Sequence, residues 1–462
     1  MNVASMASSN ANGTSVAYTY DSLNRLSTVV DNWLPVGQNT TTYSYDPASN
    51  LATVVYPNGL RSSFTYDDRN RLTNLSLTKG STLASYNYTF DLVGNRQSAT
   101  ESSGRTVNWG YDGIYRLTQE TISLDPHSKN GSVGYTLDPV GNRQSQTSTL
   151  PGISAASFTF DANDRILSTE TYDSNGNTLT TSGKAFAYDF ENRLKSMNGG
   201  TVTIVYDGDG NRVAKTVNGV TTRYLVDDKN PTGYAQAAEE VVNGAVQRTY
   251  TYGKSRVSQN QPINGTWTPS FYGYDGMGSV RLLTDSTGAV TDSFDYNAWG
   301  NAVNTTGTTP NLFLYRGEQY DSDLGLYYLR ARYFNPVTGR FLTKDPAKGN
   351  LLIPQTLHRY LYVGGNPIRF FDPTGYNAVE KADLSNIEIS FGHGARHAVE
   401  AGLNPQMVEA LIDAVTRELL ATGNVAGNFW GVVQWAEGID IWFRAFFVTD
   451  VLLNIGTFTI GH

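Results

Sequence analysis

A short motif that ends in aspartate returns along the first half of the chain. In most copies two large apolar residues flank a small one before the aspartate, as in Tyr-Thr-Tyr-Asp at residues 18–21. The aspartates that close these copies are Asp21, Asp46, Asp67, Asp91, Asp138, Asp161, Asp189 and Asp207. The first four aspartates are 25, 21 and 24 residues apart, a loose period that is typical of a repeat array.

The motif predicts a β-hairpin. Large residues that alternate with small ones lie on one face of a strand, and the aspartate that follows can accept hydrogen bonds from backbone N–H groups and hold a turn. Several turns continue as Gly-Asn-Arg, for example at residues 94–96, and glycine and asparagine tolerate the positive φ of a tight hairpin. Because the same residues recur in every unit, we assign the aspartates and arginines to hairpin construction rather than to catalysis. The aromatic residues are assigned to the core rather than to sugar-binding platforms.

The composition agrees with a turn-rich β-protein. Charged residues are 16% of the chain, against about 25% in an average protein, and 29 tyrosines and 45 glycines are present. The net charge of −8 predicts no general attraction to nucleic acid or to anionic membranes. The absence of cysteine excludes disulfides and thiolate zinc sites. We predict no cofactor and no metal site, no signal peptide at residues 1–10 and no membrane span.

A different pattern begins at Asn311. It consists of the runs YRGEQYD (315–321), GLYYLRARYFNP (325–336), TGRFLTKDP (338–346), YLYVGGNP (360–367) and FDPTG (371–375). These runs resemble the core-domain signature of Rhs (YD-repeat) proteins, and with the repeats the resemblance covers residues 1 to 376. It implies a mainly β fold: a hollow, cocoon-like shell of repeats over residues 1–310, sealed at one end by a core segment over residues 311–376. In this family a variable C-terminal domain, usually a toxin, is held inside the shell.

The resemblance also implies self-cleavage. Many relatives cut themselves just after an Asp-Pro-x-Gly-Leu motif with an aspartyl-protease-like pair, in which one carboxylate activates water and the other protonates the leaving group. The matching residues are Asp345 and Asp372, with Arg340 as an orienting cation, and the cut would follow Tyr376, which replaces the usual leucine. The alternative is that both aspartates only hold Asp-Pro turns.

Residues 377–462 predict a small α+β domain. Asn404 is a suitable N-cap for a helix that ends at Gly423. Runs of aromatic and β-branched residues then predict three strands of an antiparallel sheet, over residues 429–435, 439–448 and 451–460.

Two histidines in this domain predict acid–base chemistry. His393 and His397 are four residues apart with Arg396 between them, which is the set needed to cleave RNA, and Arg444 and Thr457 on the predicted strands would complete a phosphate site. The order of residues is similar to that of barnase–EndoU–colicin–RelE-like ribonuclease toxins. Four basic and ten acidic residues give this domain a net charge of −6, which is unusual for a nucleic-acid binder. Another toxin chemistry and an inert domain therefore remain alternatives.

Together these patterns predict part of an Rhs-type polymorphic toxin that is secreted or delivered from the cell surface. Its expected partners are a cognate immunity protein, an RNA substrate, and a secretion apparatus or delivery domain. About eleven hairpin units are few for a closed cocoon, so we expect an incomplete shell from a longer protein. The alternative function is a cell-surface adhesion or structural scaffold without enzymatic activity.

Overall fold

The repeats fold into two large antiparallel sheets in which every strand pairs with its neighbours in sequence. A computed structural model describes residues 3–346, 357–376, 378–380, 388–391, 429–434, 440–449 and 452–461. By their internal contacts the residues divide into two units, Met1–Asp46 with Leu51–Lys381 and Pro47–Asn50 with Ala382–His462.

The first sheet has fourteen strands. They are β1 (Ser5–Ala7), β2 (Ser15–Tyr20), β3 (Leu26–Asp31), β4 (Thr40–Tyr45), β5 (Leu51–Val55), β6 (Arg61–Tyr66), β7 (Leu72–Lys79), β8 (Ser81–Phe90), β9 (Arg96–Glu101), β10 (Thr106–Tyr111), β11 (Leu117–Ser123), β12 (Gly131–Leu137), β13 (Arg143–Ser148) and β14 (Ala156–Ser157).

The second sheet also has fourteen strands. They are β15 (Thr171–Tyr172), β16 (Thr178–Thr181), β17 (Lys184–Tyr188), β18 (Leu194–Met197), β19 (Val202–Tyr206), β20 (Arg212–Val217), β21 (Val220–Asp227), β22 (Gln236–Val242), β23 (Ala245–Tyr252), β24 (Arg256–Ile263), β25 (Thr266–Tyr274), β26 (Val280–Thr284), β27 (Val290–Tyr296) and β28 (Ala302–Thr306).

The residues that follow form smaller sheets in the first unit. A four-stranded meander contains β29 (Gln319–Asp321), β30 (Leu326–Leu329), β31 (Arg332–Asn335) and β32 (Arg340–Phe341), and β33 (Phe370–Phe371) pairs with β34 (Val379–Glu380). Single turns of 3-10 helix lie at Asn198–Gly200, Tyr315–Gly317 and Val363–Gly365. Within the described part of the chain, no helix is long and apolar enough to cross a membrane.

The aspartate of the repeat closes its hairpin turn, as the sequence predicts and as Asp21 shows. Oδ1 of Asp21 accepts hydrogen bonds from the backbone N–H groups of Leu23 and Arg25, both at 2.9 Å. Its Oδ2 accepts from Nε of Arg25 at 2.8 Å, and Asn24 takes the positive φ of 66° that the turn requires. The same pair of backbone bonds recurs at Asp67, so the motif is a local device for reversing the chain.

Where the repeat has a tyrosine before its aspartate, that tyrosine can tie its hairpin to the one before it. The hydroxyl of Tyr45 donates to the carbonyl of Leu26 at 2.8 Å, and the Arg25 guanidinium lies 4.4 Å from the centre of the Tyr45 ring. Tyr206 repeats this arrangement with Leu194 and Arg193. A cation over an aromatic face is stabilising. The aromatic and basic residues of the repeats are therefore structural, as expected.

Buried side chains join the two large sheets. The apolar core of the first sheet includes Phe271 and Leu282 of the second. Glu101 of β9 accepts two hydrogen bonds from Arg281 of β26, at 3.0 and 3.1 Å. Asp31 of β3 accepts from the hydroxyl of Thr251 in β23 at 2.7 Å. The sheets are thus held by polar bonds as well as by apolar packing.

The second unit contains one described sheet, with the order β35 (Glu388–Phe391), β38 (Leu452–Gly461), β37 (Asp440–Thr449) and β36 (Phe429–Gln434). The three strands predicted from the sequence are confirmed to within one residue at each end, and they are antiparallel. β35 was not predicted and runs parallel to β38. The helix predicted from Asn404 lies outside the described residues.

Candidate active site

One guanidinium group lies between the two aspartates named from the sequence. Nη2 of Arg332 is 2.8 Å from Oδ2 of Asp345 and 3.5 Å from Oδ2 of Asp372. The Asp372 side chain is 3% exposed and that of Asp345 is 20% exposed. Two carboxylates repel each other at short range unless a positive charge or a shared proton compensates them. Arg332 supplies that charge.

Arg332 is itself fixed from several directions. It begins β31, its side chain is 4% exposed, and its guanidinium carbon lies 3.7 Å from the centre of the Phe341 ring. Burial lowers the pKa of Arg332, and the charges of Asp345 and Asp372 oppose that shift. Its Nε donates to the carbonyl of Gly375, whereas Nη1 has no hydrogen-bond partner among the residues that the structure describes.

The segment that ends at Tyr376 is held against the turn between β30 and β31. Oδ1 of Asp372 accepts from the N–H of Gly375 at 2.8 Å and from the hydroxyl of Thr374 at 3.2 Å. The N–H of Ala331 donates to the carbonyl of Thr374 at 3.1 Å. These bonds fix the backbone immediately before Tyr376.

Only glycine fits at residue 375. Its φ is +74°, and a Cβ atom there would lie 2.4 Å from the carbonyl oxygen of Leu329. Side chains are disfavoured at such a φ, and the contact is with backbone that cannot move aside. Gly375 therefore allows the close approach that brings its carbonyl to Arg332.

Asp345 faces a large polar cavity. The cavity has a volume of about 840 Å³, and its lining includes Asp345, Tyr376, Lys344 and the turn residues Asn192 and Asn211. The backbone N–H of Asp345 donates to the carbonyl of Arg359 at 2.7 Å. Water can therefore reach the Asp345 carboxylate, while its backbone is fixed.

After Tyr376 the chain forms β34, which pairs with β33. Phe370 is the register partner of Glu380, and Phe371 is the register partner of Val379, in the antiparallel pair β33–β34. Tyr376, whose side chain is 50% exposed, lies in the connection between these strands. A bond in such a connection is more accessible than one within a sheet.

The expectation that Arg340 orients the aspartates is corrected by its contacts. Nη1 of Arg340 donates to Oδ1 of Asn142 at 2.6 Å, and Nη2 donates to the carbonyl of Asp164. Its guanidinium also lies over the rings of Phe160 and Tyr360. Arg340 therefore anchors its strand to the end of the first sheet, because its side chain points to the hairpin turns there. The cation at the aspartates is Arg332.

A signal for Arg332 was present in the sequence. Arg330 and Arg332 interrupt the apolar run at residues 326–334, and a strand buried on both faces cannot hold arginine without acceptors. Nη1 of Arg330 donates hydrogen bonds to Oε2 of Glu318 at 3.0 Å and to the carbonyl of Pro373. The pattern indicates buried arginines, but the choice of carboxylate depends on the tertiary structure.

The candidate residues of the C-terminal domain are only partly described. His393, Arg396 and His397 lie outside the described residues. Arg444 of β37 and Thr457 of β38 are register partners, directly opposite each other, and Trp430 of β36 is the partner of Arg444 on the other side. Across the part of the chain that the structure covers, no cluster of three His, Asp or Glu residues could hold a metal ion.

Two family models match the chain. The model described as Teneurin YD-shell matches residues 95–368, more than half of the chain, and the RHS Repeat model matches residues 45–82. A tRNA3(Ser)-specific nuclease WapA of Bacillus spizizenii is 32% identical over 379 residues. A tRNA(Glu)-specific nuclease WapA of Bacillus subtilis subsp. natto is 33% identical over 374 residues. Each match covers 78% of this chain and 15% of the relative.

The described fold is also similar to a solved structure. The crystal structure of TcdB2-TccC3 matches with a TM-score of 0.65 at 20% sequence identity, covering 79% of this chain and 21% of that chain. At that identity the likeness concerns the fold. The predicted mainly β repeat fold is confirmed by it.

Proposed function

The chain belongs to the Teneurin YD-shell family of RHS-repeat proteins, and on that premise we propose that it is the shell of a toxin that cuts itself after Tyr376 to free residues 377–462. Its Rhs-type relatives include nucleases, which agrees with a shell that serves a toxin. This chain spans about 15% of the length of those relatives, so family membership alone does not assign their substrates to this chain.

One observation carries the self-cleavage proposal: Arg332 contacts both aspartates and the carbonyl of Gly375, one residue before the bond to be cut. The three contacts hold two carboxylates close to a fixed turn of the backbone. That is the arrangement which general acid–base hydrolysis of a peptide requires, since reactants held in place react much faster than free ones.

The reaction assigns a role to each carboxylate. Asp345, which faces the cavity, takes a proton from a water molecule as the water oxygen attacks the carbonyl carbon of Tyr376. The proton that Asp345 has taken up then passes to the nitrogen of residue 377 as the C–N bond breaks, while Asp372, paired with Arg332, accepts from the N–H of Gly375 and holds the backbone before that bond. The carboxylic acid formed at Tyr376 passes its proton to the new amine, so the products are a carboxylate at Tyr376 and an ammonium group at residue 377, and atoms and protons balance.

The test compares the full chain with Asp345→Asn and Asp372→Asn variants on denaturing gels, with the new terminus sequenced by mass spectrometry. We expect the wild type to yield two fragments that meet between residues 376 and 377, and both variants to stay whole. Asp68→Asn is the matched control, because Asp68 is an exposed turn residue remote in sequence from the site. A wild-type chain that stays whole, or variants that are cut as fast as the control, contradicts the proposal.

For the released domain we propose RNA cleavage by His393 and His397, with Arg396, Arg444 and Thr457 binding the phosphate. The opposed register of Arg444 and Thr457 supports a shared site, and the names of the WapA relatives support RNA as the substrate class. A cognate immunity protein and a delivery apparatus would then be its partners.

The domain proposal is tested by expressing the full chain in bacteria. Growth arrest with fragmented cellular RNA is expected, and His397→Ala should abolish both. Arrest with intact RNA would indicate another toxin chemistry. Harmless expression of folded, cleaved protein would favour the structural scaffold.

A further inference from the structure

A buried histidine links the segment hydrogen-bonded to Asp345 to the first large sheet. His358 is 6% exposed, and its Nε2 lies 2.8 Å from Oδ1 of Asn142, a residue of the turn between β12 and β13. The N–H of Tyr360 donates to Nδ1 of the same ring at 3.2 Å. Both ring nitrogens of His358 are therefore engaged.

These contacts fix the protonation state of His358. Because Nδ1 accepts a hydrogen bond, it carries no proton, and Nε2 is the N–H that donates to Asn142. Nη1 of Arg340 lies 3.4 Å from Nε2 and donates to the same Asn142 oxygen. Burial first and then the charge of Arg340 lower the pKa of His358 to about 3, and Asp138 opposes this shift. The ring is neutral at physiological pH.

The anchored segment in turn fixes Asp345. The carbonyl of Arg359, next to His358, accepts from the N–H of Asp345 at 2.7 Å. The next residue, Tyr360, accepts at its carbonyl from the N–H of Phe341 at 3.0 Å. The stretch around His358 therefore pairs with the stretch that ends at Asp345, and a displacement of one moves the other.

We propose that His358 is a positioning residue for self-cleavage, which holds Asp345 at Arg332 by tying the neighbouring segment at Arg359 to Asn142. The inference rests on the proposed self-cleavage. It adds a residue that touches neither the aspartates nor the bond to be cut in any contact recorded within the described residues. The sequence gives no hint of this role, because 216 residues separate His358 from Asn142.

Three substitutions separate the two bonds of the His358 ring. His358→Gln keeps a donor near the place of Nε2, His358→Asn keeps only an acceptor near Nδ1, and His358→Ala keeps neither. If the bond to Asn142 positions Asp345, the glutamine variant keeps most of the self-cleavage rate. The other two variants should lose about 100-fold, the usual cost of misplacing a reacting group by about 1 Å.

The experiment follows self-cleavage of freshly refolded full-length chain on denaturing gels, beside its thermal unfolding. His127→Ala is the matched control, because His127 is an exposed histidine of the same unit. Asn142→Ala should slow cleavage at least as much as His358→Ala does, because it also removes the bond from Arg340, and the double variant should be no slower than Asn142→Ala alone. A normal rate in His358→Ala, or full additivity in the double variant, overturns the positioning role. A wild type that never cleaves contradicts the proposed function instead.

The pH profile gives a second readout that loss of stability alone would not change. Because His358 stays neutral down to about pH 3, the wild-type rate should show no step near the ordinary histidine pKa of 6.5. Arg340 and Asp138 are the charged groups that face the ring. A step near that pH that disappears in His358→Gln would show that the ring titrates there, and would overturn the neutral anchor.

Discussion

A buried ion pair between the second sheet and the meander gives the sharpest stability prediction. Asp321 of β29 is 1% exposed, and it accepts hydrogen bonds from Arg212 and from Lys215 of β20, the latter at 2.8 Å. Burial alone would raise the pKa of Asp321, but the two cations outweigh it and lower that pKa. The carboxylate is therefore ionised in the folded protein.

The expected cost of Asp321→Asn follows from what it leaves behind. Arg212 has a side chain that is 1% exposed and lies 4.2 Å from the centre of the Tyr328 ring, so it cannot reach water after its partner is removed. Removing one partner of a buried ion pair costs about 3–5 kcal/mol, because the other charge stays buried without compensation. Lys215 is less affected, since it also contacts Asp323 at 3.2 Å.

The assay is urea unfolding of the full chain followed by tryptophan fluorescence. Asp323→Asn is the control: its side chain is 38% exposed, and losing a surface ion pair costs about 0–1 kcal/mol. In the double variant Arg212→Met with Asp321→Asn, much of the cost should be recovered, since no buried charge is left unpaired. A cost below about 1 kcal/mol for Asp321→Asn, or the same cost in the Arg212→Met background, would refute this account.

Three further predictions concern a buried carboxylate, the turn before Tyr376 and the turn of a repeat hairpin. Burial raises the pKa of Asp31 above its value in the unfolded chain, so protonation of Asp31 favours the folded state. The unfolding free energy should therefore fall as the pH rises through the raised pKa. Asp31→Asn should flatten this pH dependence in thermal melts. Gly375→Ala should cost at least about 1–2 kcal/mol from its positive φ and slow self-cleavage on gels, because its Cβ meets the carbonyl of Leu329. Asp67→Ala should cost about 1–3 kcal/mol in urea unfolding, because it leaves two backbone donors of its turn unsatisfied. The exposed neighbour Asp68→Ala should stay within about 0.5 kcal/mol, and equal costs would contradict the role of the turn.

The local pattern of the sequence was enough to predict the hairpins. Asp21 bonds to residues two and four positions ahead, and the alternation of β2 places Val16 and Tyr18 on its buried face. Such contacts depend on neighbours in sequence, so a repeat shows them directly. The same holds for the strands around Arg444, whose apolar pattern predicted their bounds to within one residue.

The partners of the buried charges depended on the tertiary structure alone. Asp345 and Asp372 could be named from their motif, but the sequence selected Arg340 as their cation where the fold provides Arg332. Both arginines lie in the same short meander, and only the packing of its strands decides which one faces the aspartates and which one reaches Asn142. Contacts that join residues far apart in the chain leave no periodic trace in it. The repeat pattern therefore determined the architecture of the β-shell, whereas packing between residues far apart in the chain determined which side chains meet at the site.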